Sequence, residues 1–365
     1  MGDAHRIGVV GLGVISRAYL DTLVGRDAVR VTAVADLDAS RSAAVAAELP
    51  GVRALSVEEL LNSPDVETVL NLTVPAAHAE IALGAVARGK NVYGEKPLAA
   101  ELADAQAVLE AAAKASVRVG CAPDTVLGTG VQTARAAVEA GAIGRPLFAS
   151  AVMITPGHER WHPQPDFYYA PGGGPLLDMG PYYLSSLVHL LGPVRAVIGA
   201  SSRLRSERVI GSGPRAGERI PVEVDSHVSG VLEHEGGALT TLTTSFDGVG
   251  TTAAPIEVHG ETGTLTLPDP NHFDGEVRLL ELGGSDRRAL PPSAGYVGGA
   301  RGVGLLDFVA ADGGRPARAS GELALHVLET MTALLRSSAE GRRIELSTSV
   351  ERPAPVPLTP VEQWR

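Results

Sequence analysis

Arg6-Ile7-Gly8-Val9-Val10-Gly11-Leu12-Gly13-Val14-Ile15-Ser16 is the stretch on which the reading of the fold turns. Arg6–Val10 is a compact apolar run that reads as a buried strand, and Val14–Val24 then reads as a helix. A glycine pair that follows a strand and opens a helix is the context in which a GxGxx turn carries meaning. Gly11 permits the tight turn, and Gly13 lets the backbone approach a pyrophosphate. The helix N-terminus at Val14 and Ile15 offers unpaired N–H groups and the positive end of a dipole. The third small position is Ser16, which still allows close helix–strand packing.

Working outward, Val29–Ala35 is a second strand ending at Asp36, where a carboxylate can accept hydrogen bonds from an adenosine ribose. A 2′-phosphate would be repelled there, so NAD is favoured; Arg41, a few residues on, softens the preference and leaves NADP as the alternative. The alternation continues through Ala39–Leu49 (helix), Val66–Leu72 (strand), Ala77–Arg88 (helix), Asn91–Tyr93 (strand), Glu101–Ala115 (helix) and Val117–Cys121 (strand). Strands alternating with helices of this length predict a parallel, doubly wound α/β Rossmann sheet over residues 1–122. Ligands of such a sheet bind outside the carboxyl ends of its strands. Lys96 follows the strand at Asn91–Tyr93 and precedes Pro97, so its ammonium is presented from a stiff loop.

After Pro123 the alternation stops. Gly128–Ala140 and Pro175–Leu191 read as helices, Pro146–Ile154 as a strand, and several β-type runs follow from Val194 to Leu267. Residues 123–365 therefore read as an α+β domain with an open, mostly antiparallel sheet. Arg203–Glu218, rich in Arg, Ser and Gly, reads as a mobile surface loop. A late helix is expected over Gly321–Ser338, and a proline-rich extended tail over Arg352–Pro360. Pro181, inside the helix that carries Asp178 and Tyr182, is expected to kink or break it. Asp178 and Tyr182, four residues apart, share a helix face, so a carboxylate can orient a phenol.

Composition narrows the functions. The chain has 365 residues with a formal net charge of −11, which argues against nucleic acid and an anionic membrane surface as partners. Cys121 is the only cysteine, so neither a disulfide nor a thiolate metal cluster is expected. No apolar run is long enough for a membrane span, and the chain enters its first strand almost at once, without room for a leader. Met1-Gly2 resembles a myristoylation start, but Arg6 stands where that motif wants Ser or Thr. A cytoplasmic protein is expected.

The fingerprint at Gly11-Leu12-Gly13, the Glu95-Lys96-Pro97 triplet and the run Gly172-Gly173-Gly174-Pro175-Leu176-Leu177-Asp178-Met179-Gly180 occur in this order. Together they resemble the Gfo/Idh/MocA family of NAD(P)-dependent oxidoreductases, over nearly the whole chain. The resemblance implies a cleft between the domains for nicotinamide and a sugar or polyol, and a homodimer or homotetramer built through the C-terminal sheet. By that likeness Lys96 is an active-site acid/base, and Asp178 matches the aspartate of an Asp-x-Gly-x-His motif. Asn71, Pro75 and Glu95 join the cofactor site, Asn71 and Pro75 beside the nicotinamide ribose. Inositol dehydrogenase-like members carry histidine where this chain has Tyr182; glucose–fructose oxidoreductase and the dihydrodiol dehydrogenases have tyrosine there. The resemblance therefore implies hydride transfer with Lys96, Asp178 and Tyr182 as catalytic residues, Lys96 lowering the Tyr182 pKa. Redox-neutral glycoside cleavage or epimerisation with tightly held NAD, and a non-catalytic NAD-binding protein, are the alternatives.

The loop around Gly157-His158-Glu159-Arg160-Trp161-His162-Pro163 is aromatic and polar, as a sugar-binding wall is, so His158, Trp161 and His162 are substrate-site candidates. His158 and His162 are four apart, but helical spacing means little in a Gly/Pro-rich loop, and no metal is expected. Asp124, after the last Rossmann strand, is a further substrate candidate whose alternative is helix capping. His78 reads as a local cap near a helix start and His189 as a core residue.

Overall fold

The computed structural model describes residues 4–311 and 316–364, so Met1-Gly2 lies outside the described residues. The chain divides into two compact units. The first takes Met1–Gly128, Tyr296–Leu325 and Leu358–Arg365; the second takes Thr129–Gly295 and His326–Pro357.

The first unit alternates β1 (His5–Val10), α1 (Ser16–Leu23), β2 (Val29–Ala35), α2 (Ala39–Glu48), β3 (Arg53–Ala54), α3 (Val57–Asn62), β4 (Thr68–Asn71), α4 (Pro75–Val86), β5 (Asn91–Gly94), α5 (Leu102–Ala115) and β6 (Val119–Cys121). Six strands pair in parallel in the order β3-β2-β1-β4-β5-β6. The strands are buried on both faces because helices cover both, so they read as near-continuous apolar runs. Ile7, Val9, Ala33, Val34, Val69 and Leu70 are fully enclosed. Truncating one large aliphatic residue in such a core costs about 2–5 kcal/mol. The strand order reverses between β1 and β4, and a switch point of this kind opens a crevice at the carboxyl ends.

Sequence reading passes over β3 and α3 because two and six residues are too short for a period to show. A capping box sets α3: Ser56 accepts the Glu59 N–H, and Glu59 in return accepts the Ser56 N–H.

The first unit also differs from a division at 122/123 with everything later in a second domain. The Val303–Ala310 helix, beyond the expected boundary, returns to it. Arg118 Nη1 donates to the Phe308 and Ala311 carbonyls, and Gly120 bridges Ser320, so this later segment closes the β6 side of the sheet.

The second unit contains α6 (Thr129–Glu139), β7 (Pro146–Ile154), α7 (Pro175–Leu191), β8 (Val194–Ser202), β9 (Glu207–Val209), β10 (Arg219–Pro221), β11 (His227–His234), β12 (Leu239–Ser245), β13 (Ile256–Gly260), β14 (Gly263–Leu267), β15 (Val277–Glu281), β16 (Arg288–Leu290) and β17 (Ile344–Glu345). Nine of these strands form one sheet, ordered β16-β15-β14-β13-β7-β12-β11-β8-β17. Every pairing is antiparallel except β7 with β12. One face packs against helices; the other leaves Phe148, Ile198 and Leu239 about half exposed.

Two expectations fail here. Arg203–Glu218 is not simply a mobile surface loop: β9 lies inside it and pairs with β10, and the Arg208 side chain is buried against Glu159 and Asp247. Charge-rich composition suggested solvent, but the charges are matched by acids distant in sequence. Nor does Pro181 break its helix. α7 runs unbroken from Pro175 to Leu191, with Tyr182, Leu184, Leu187 and Val188 buried, so packing outweighs the missing N–H.

Candidate active site

In the first unit the candidate residues gather at the strand ends. Gly11 has φ +92°, and a Cβ there would sit 2.6 Å from the Leu72 carbonyl carbon, so only glycine closes the turn. Gly13 faces open space, Val14 is fully exposed, and Ile15 caps α1 without a side-chain bond. Backbone N–H groups at this turn are thus open to an anion. Asp36 ends β2 and accepts the Leu12 N–H at 2.8 Å and the Asp38 N–H at 3.0 Å, with Arg41 at 3.3 Å. Burial would raise the Asp36 carboxyl. The Asp38 and Leu12 N–H groups and the Arg41 guanidinium outweigh it and hold the group below its ordinary range. The residues therefore fit a dinucleotide: a glycine turn for the pyrophosphate and an ionised carboxylate for the ribose. A hollow of about 760 Å³ opens beside the turn, lined among others by Gly13, Val14, Arg41 and Val45.

Asn71 ends β4 and is almost fully buried. Its Nδ2 donates to the His78 carbonyl at 3.0 Å, and its Oδ1 accepts the Thr73 hydroxyl at 2.6 Å, so the segment leading to Pro75, first residue of α4, is held in shape. Lys96 follows β5, and the Lys96–Pro97 peptide is cis. The Glu95 carboxylate accepts the Tyr19 hydroxyl at 2.9 Å and the Lys96 N–H at 3.0 Å. Burial, with Glu95 and Asp124 nearby, pushes the Tyr19 phenol well above its usual range, so it keeps its proton and donates. The His78 ring lies between the Pro97 carbonyl (Nδ1, 2.6 Å) and the Thr73 carbonyl (Nε2, 3.0 Å). Tyr19 and His78 thus brace the lysine loop from α1 and α4.

Sequence reasoning missed Tyr19 and took His78 for a local cap. An unexplained polar side chain on each helix was the available signal.

Asp124 is fully buried, and its job differs from the expected substrate contact. Its carboxylate accepts the Gly302 N–H at 2.7 Å and the Gly304 N–H at 3.2 Å, with Arg301 at 3.5 Å. It caps the Val303–Ala310 helix, not the turn that follows it in sequence. Burial raises this carboxyl, against the pull of Arg301 and the two N–H groups.

In the second unit, Asp178 and Tyr182 lie in the first turns of α7. Asp178 Oδ2 is 3.1 Å from His158 Nε2. The His158 ring packs on Phe246, Tyr168 and Trp161, with centroids 4.5, 4.7 and 5.3 Å away. Trp161 and Phe167 remain mostly exposed, forming an aromatic shelf with His162 between them. The rings of His158 and His162 have different partners: Asp178 for the first, the Gln164 N–H for the second.

The shelf is anchored through Glu159, buried beside His158. Its carboxylate takes the Tyr169 hydroxyl and Arg208, and its carbonyl takes the Gly211 N–H at 2.7 Å. Arg208 also reaches Asp247 at 2.5 Å. Gly157 enters this turn at φ +107°, where a Cβ would collide with the Glu159 carboxylate. His189, as expected, is core: it is fully buried, with Nδ1 near Gln132 and Arg135.

Comparison with known proteins agrees with this architecture. Residues 5–122 match the model of an oxidoreductase family described by its NAD-binding Rossmann fold, and residues 131–266 match the GFO/IDH/MocA C-terminal domain. A 1,5-anhydro-D-fructose reductase of Ensifer adhaerens is 30% identical over 356 residues, covering 95% of this chain and 100% of that protein. Among solved structures, an NAD binding oxidoreductase from Klebsiella pneumoniae superposes with a TM-score of 0.81 at 24% identity, covering 95% of this chain and 100% of the other. A levoglucosan dehydrogenase in complex with NADH and L-sorbose superposes with a TM-score of 0.78 at 20% identity, covering 95% and 100%. No described helix is long and apolar enough to cross a membrane. With both halves matched and a full-length relative at this identity, the chain belongs to the Gfo/Idh/MocA family of NAD-binding oxidoreductases, and NAD is its cofactor.

Proposed function

We propose that this enzyme transfers a hydride between NAD and a carbinol or carbonyl carbon of a sugar, polyol or close derivative. Lys96, Asp178 and Tyr182 carry the acid–base work, and His158, Trp161 and His162 form the substrate wall. The observation that carries the reading is the bracing of the lysine loop. Tyr19 on α1, the helix that opens at the dinucleotide turn, grips Glu95, and His78 on α4 holds the carbonyl of Pro97. Lys96 is thus built into the frame that holds the cofactor segments. NAD supplies the hydride acceptor or donor; the protein supplies orientation, field and proton. The Lys96 ammonium stabilises developing alkoxide charge. The names of the relatives, an anhydrofructose reductase and a levoglucosan dehydrogenase seen with L-sorbose, support a carbohydrate substrate.

The half-exposed Phe148, Ile198 and Leu239 on the open sheet face support a homodimer or homotetramer through that face. The single, buried Cys121 suits a reducing compartment, the cytoplasm.

Turnover of myo-inositol, D-glucose, L-sorbose and 1,5-anhydro-D-fructose, followed at the nicotinamide absorbance, tests the reading. Lys96→Met should bind NAD as the wild type does while kcat falls roughly 10²- to 10⁴-fold. Wild-type turnover in that variant refutes the role of Lys96. In a thermal-shift assay NAD should stabilise the protein more than NADP, because Asp36 stays ionised; the reverse order sinks the NAD assignment to that carboxylate.

A further inference from the structure

The pairing of His158 with Asp178 points beyond a substrate wall. Asp178 Oδ2 lies 3.1 Å from Nε2, and an ionised carboxylate only accepts, so Nε2 carries the proton. A neutral imidazole protonated at Nε2 presents its lone pair at Nδ1. His158 Nδ1 makes no hydrogen bond to the described residues, and the side chain keeps about 11% of its surface exposed. The ring cannot swing away: Phe246, Tyr168 and Trp161 enclose it, and the next residue, Glu159, is locked by Tyr169, Arg208 and the Gly211 N–H. An imidazole oriented by a carboxylate on one nitrogen and open on the other is the arrangement of a general base.

We propose that His158 is a catalytic residue of this site, its Nδ1 taking the proton of the substrate hydroxyl in oxidation and returning it in reduction. This rests on the hydride transfer proposed above and reassigns its proton-carrying step from Tyr182 to His158. In oxidation the substrate O–H bond breaks and its proton forms a bond to the Nδ1 lone pair. The carbinol C–H bond breaks, its electron pair leaving as hydride for the nicotinamide, and the C=O bond forms. The resulting imidazolium is stabilised by the Asp178 carboxylate, which keeps its hydrogen bond to Nε2. In reduction every bond change reverses. Tyr182, one turn further along the same face of α7, then contacts the substrate without carrying the proton.

Three measurements test this. First, ¹⁵N NMR of the imidazole, assigned through its disappearance in His158→Gln, should show the neutral ring protonated at Nε2; a ring protonated at Nδ1 overturns the proposal without reference to turnover. Second, His158→Gln should keep NAD affinity, lose roughly 10²- to 10⁴-fold in kcat/KM and lose the acidic limb of its pH profile. Tyr182→Phe should retain that limb. Third, added imidazole should restore part of the activity of His158→Gly. Turnover of His158→Gln within threefold of wild type, or an unchanged pH profile in that variant, overturns the assignment and leaves the proposed function standing. A wild type that turns over none of the four sugars overturns both.

Discussion

Two loops carry the candidate chemistry, and they are held in opposite ways. The Glu95–Pro97 loop leaves the end of a central parallel strand, β5, and its position follows from the sheet. Its neighbours β4 and β6 flank that strand, and Tyr19 and His78 add the final bracing. The His158–Tyr169 loop leaves the end of β7 and holds only two short 3-10 turns, His158–Arg160 and Asp166–Tyr168. It is held by one buried acid, Glu159, whose partner Arg208 arrives from an excursion about fifty residues later and is itself fixed by Asp247. One loop inherits its geometry from backbone hydrogen bonds, the other from long-range side-chain charge. The first should therefore tolerate loss of a side-chain brace, and the second should not.

Arg208→Met is the sharpest way to break this contrast. It leaves the buried Glu159 carboxylate without its cation and Asp247 with only Arg205, at 3.6 Å. Breaking a buried ion pair from one side costs about 3–5 kcal/mol. Urea unfolding should show a loss of that order, and the loop should become sensitive to limited proteolysis near Trp161. A variant as stable as wild type would mean that aromatic packing, not Arg208, holds the loop.

The same contrast explains what the sequence made legible. Gly11, Asp36 and Lys96 are legible as candidates because each is tied to a strand end through a local rule, and a parallel sheet gathers its strand ends on one side, whereas Asn71 enters only through the family resemblance. The helix at Val303–Ala310 and the fate of Asp124 were not readable, since the cap is formed by residues nearly 180 positions away. Arg208 looked like a solvated charge because nothing near it in sequence shows that its acids are Glu159 and Asp247. The His158–Asp178 pair was missed for a related reason: the histidine was read from its own loop and the aspartate from its own helix. Local propensity finds elements; which charges meet depends on the closed fold.

Buried histidines of the open-sheet unit supply a second, smaller test, because they make that unit pH-sensitive. His234 is fully buried, with Nδ1–H donating to the Gly192 carbonyl at 2.8 Å and Nε2 beside the Thr240 hydroxyl at 2.9 Å. Burial lowers its pKa to about 4, against the smaller opposing pull of the Gly192 bond, and nearby His326 pushes the same way. An unfolded histidine titrates near 6.5, so below that pH the unfolded chain binds a proton that the fold refuses. Stability is therefore full above pH 6.5 and falls as pH drops toward 4. Between pH 7 and pH 4.5 the contribution lost is about 2 kcal/mol. His234→Gln should lower stability at pH 7 but flatten this decline by about that amount in urea titrations at the two pH values. An equally steep decline in the variant would move the effect to His326 or to carboxylates.

The smallest effect on stability belongs to the Rossmann side and sharpens the comparison from the other direction. Tyr19→Phe removes one hydroxyl and leaves the ring packed in the core. Glu95 keeps the Lys96 N–H as a donor, and the β4–β5–β6 ladder is untouched. A hydrogen bond to a charged group contributes about 1.5–3 kcal/mol, so the loss of stability should stay at or below the low end of that range. The kinetic signature should be a lowered kcat with NAD affinity and substrate KM nearly unchanged, because the lysine loop loosens while the glycine turn and Asp36 stay in place. If instead NAD binding weakens in step with kcat, Tyr19 supports the dinucleotide turn and not the lysine. The two loops would then differ less than their anchors suggest.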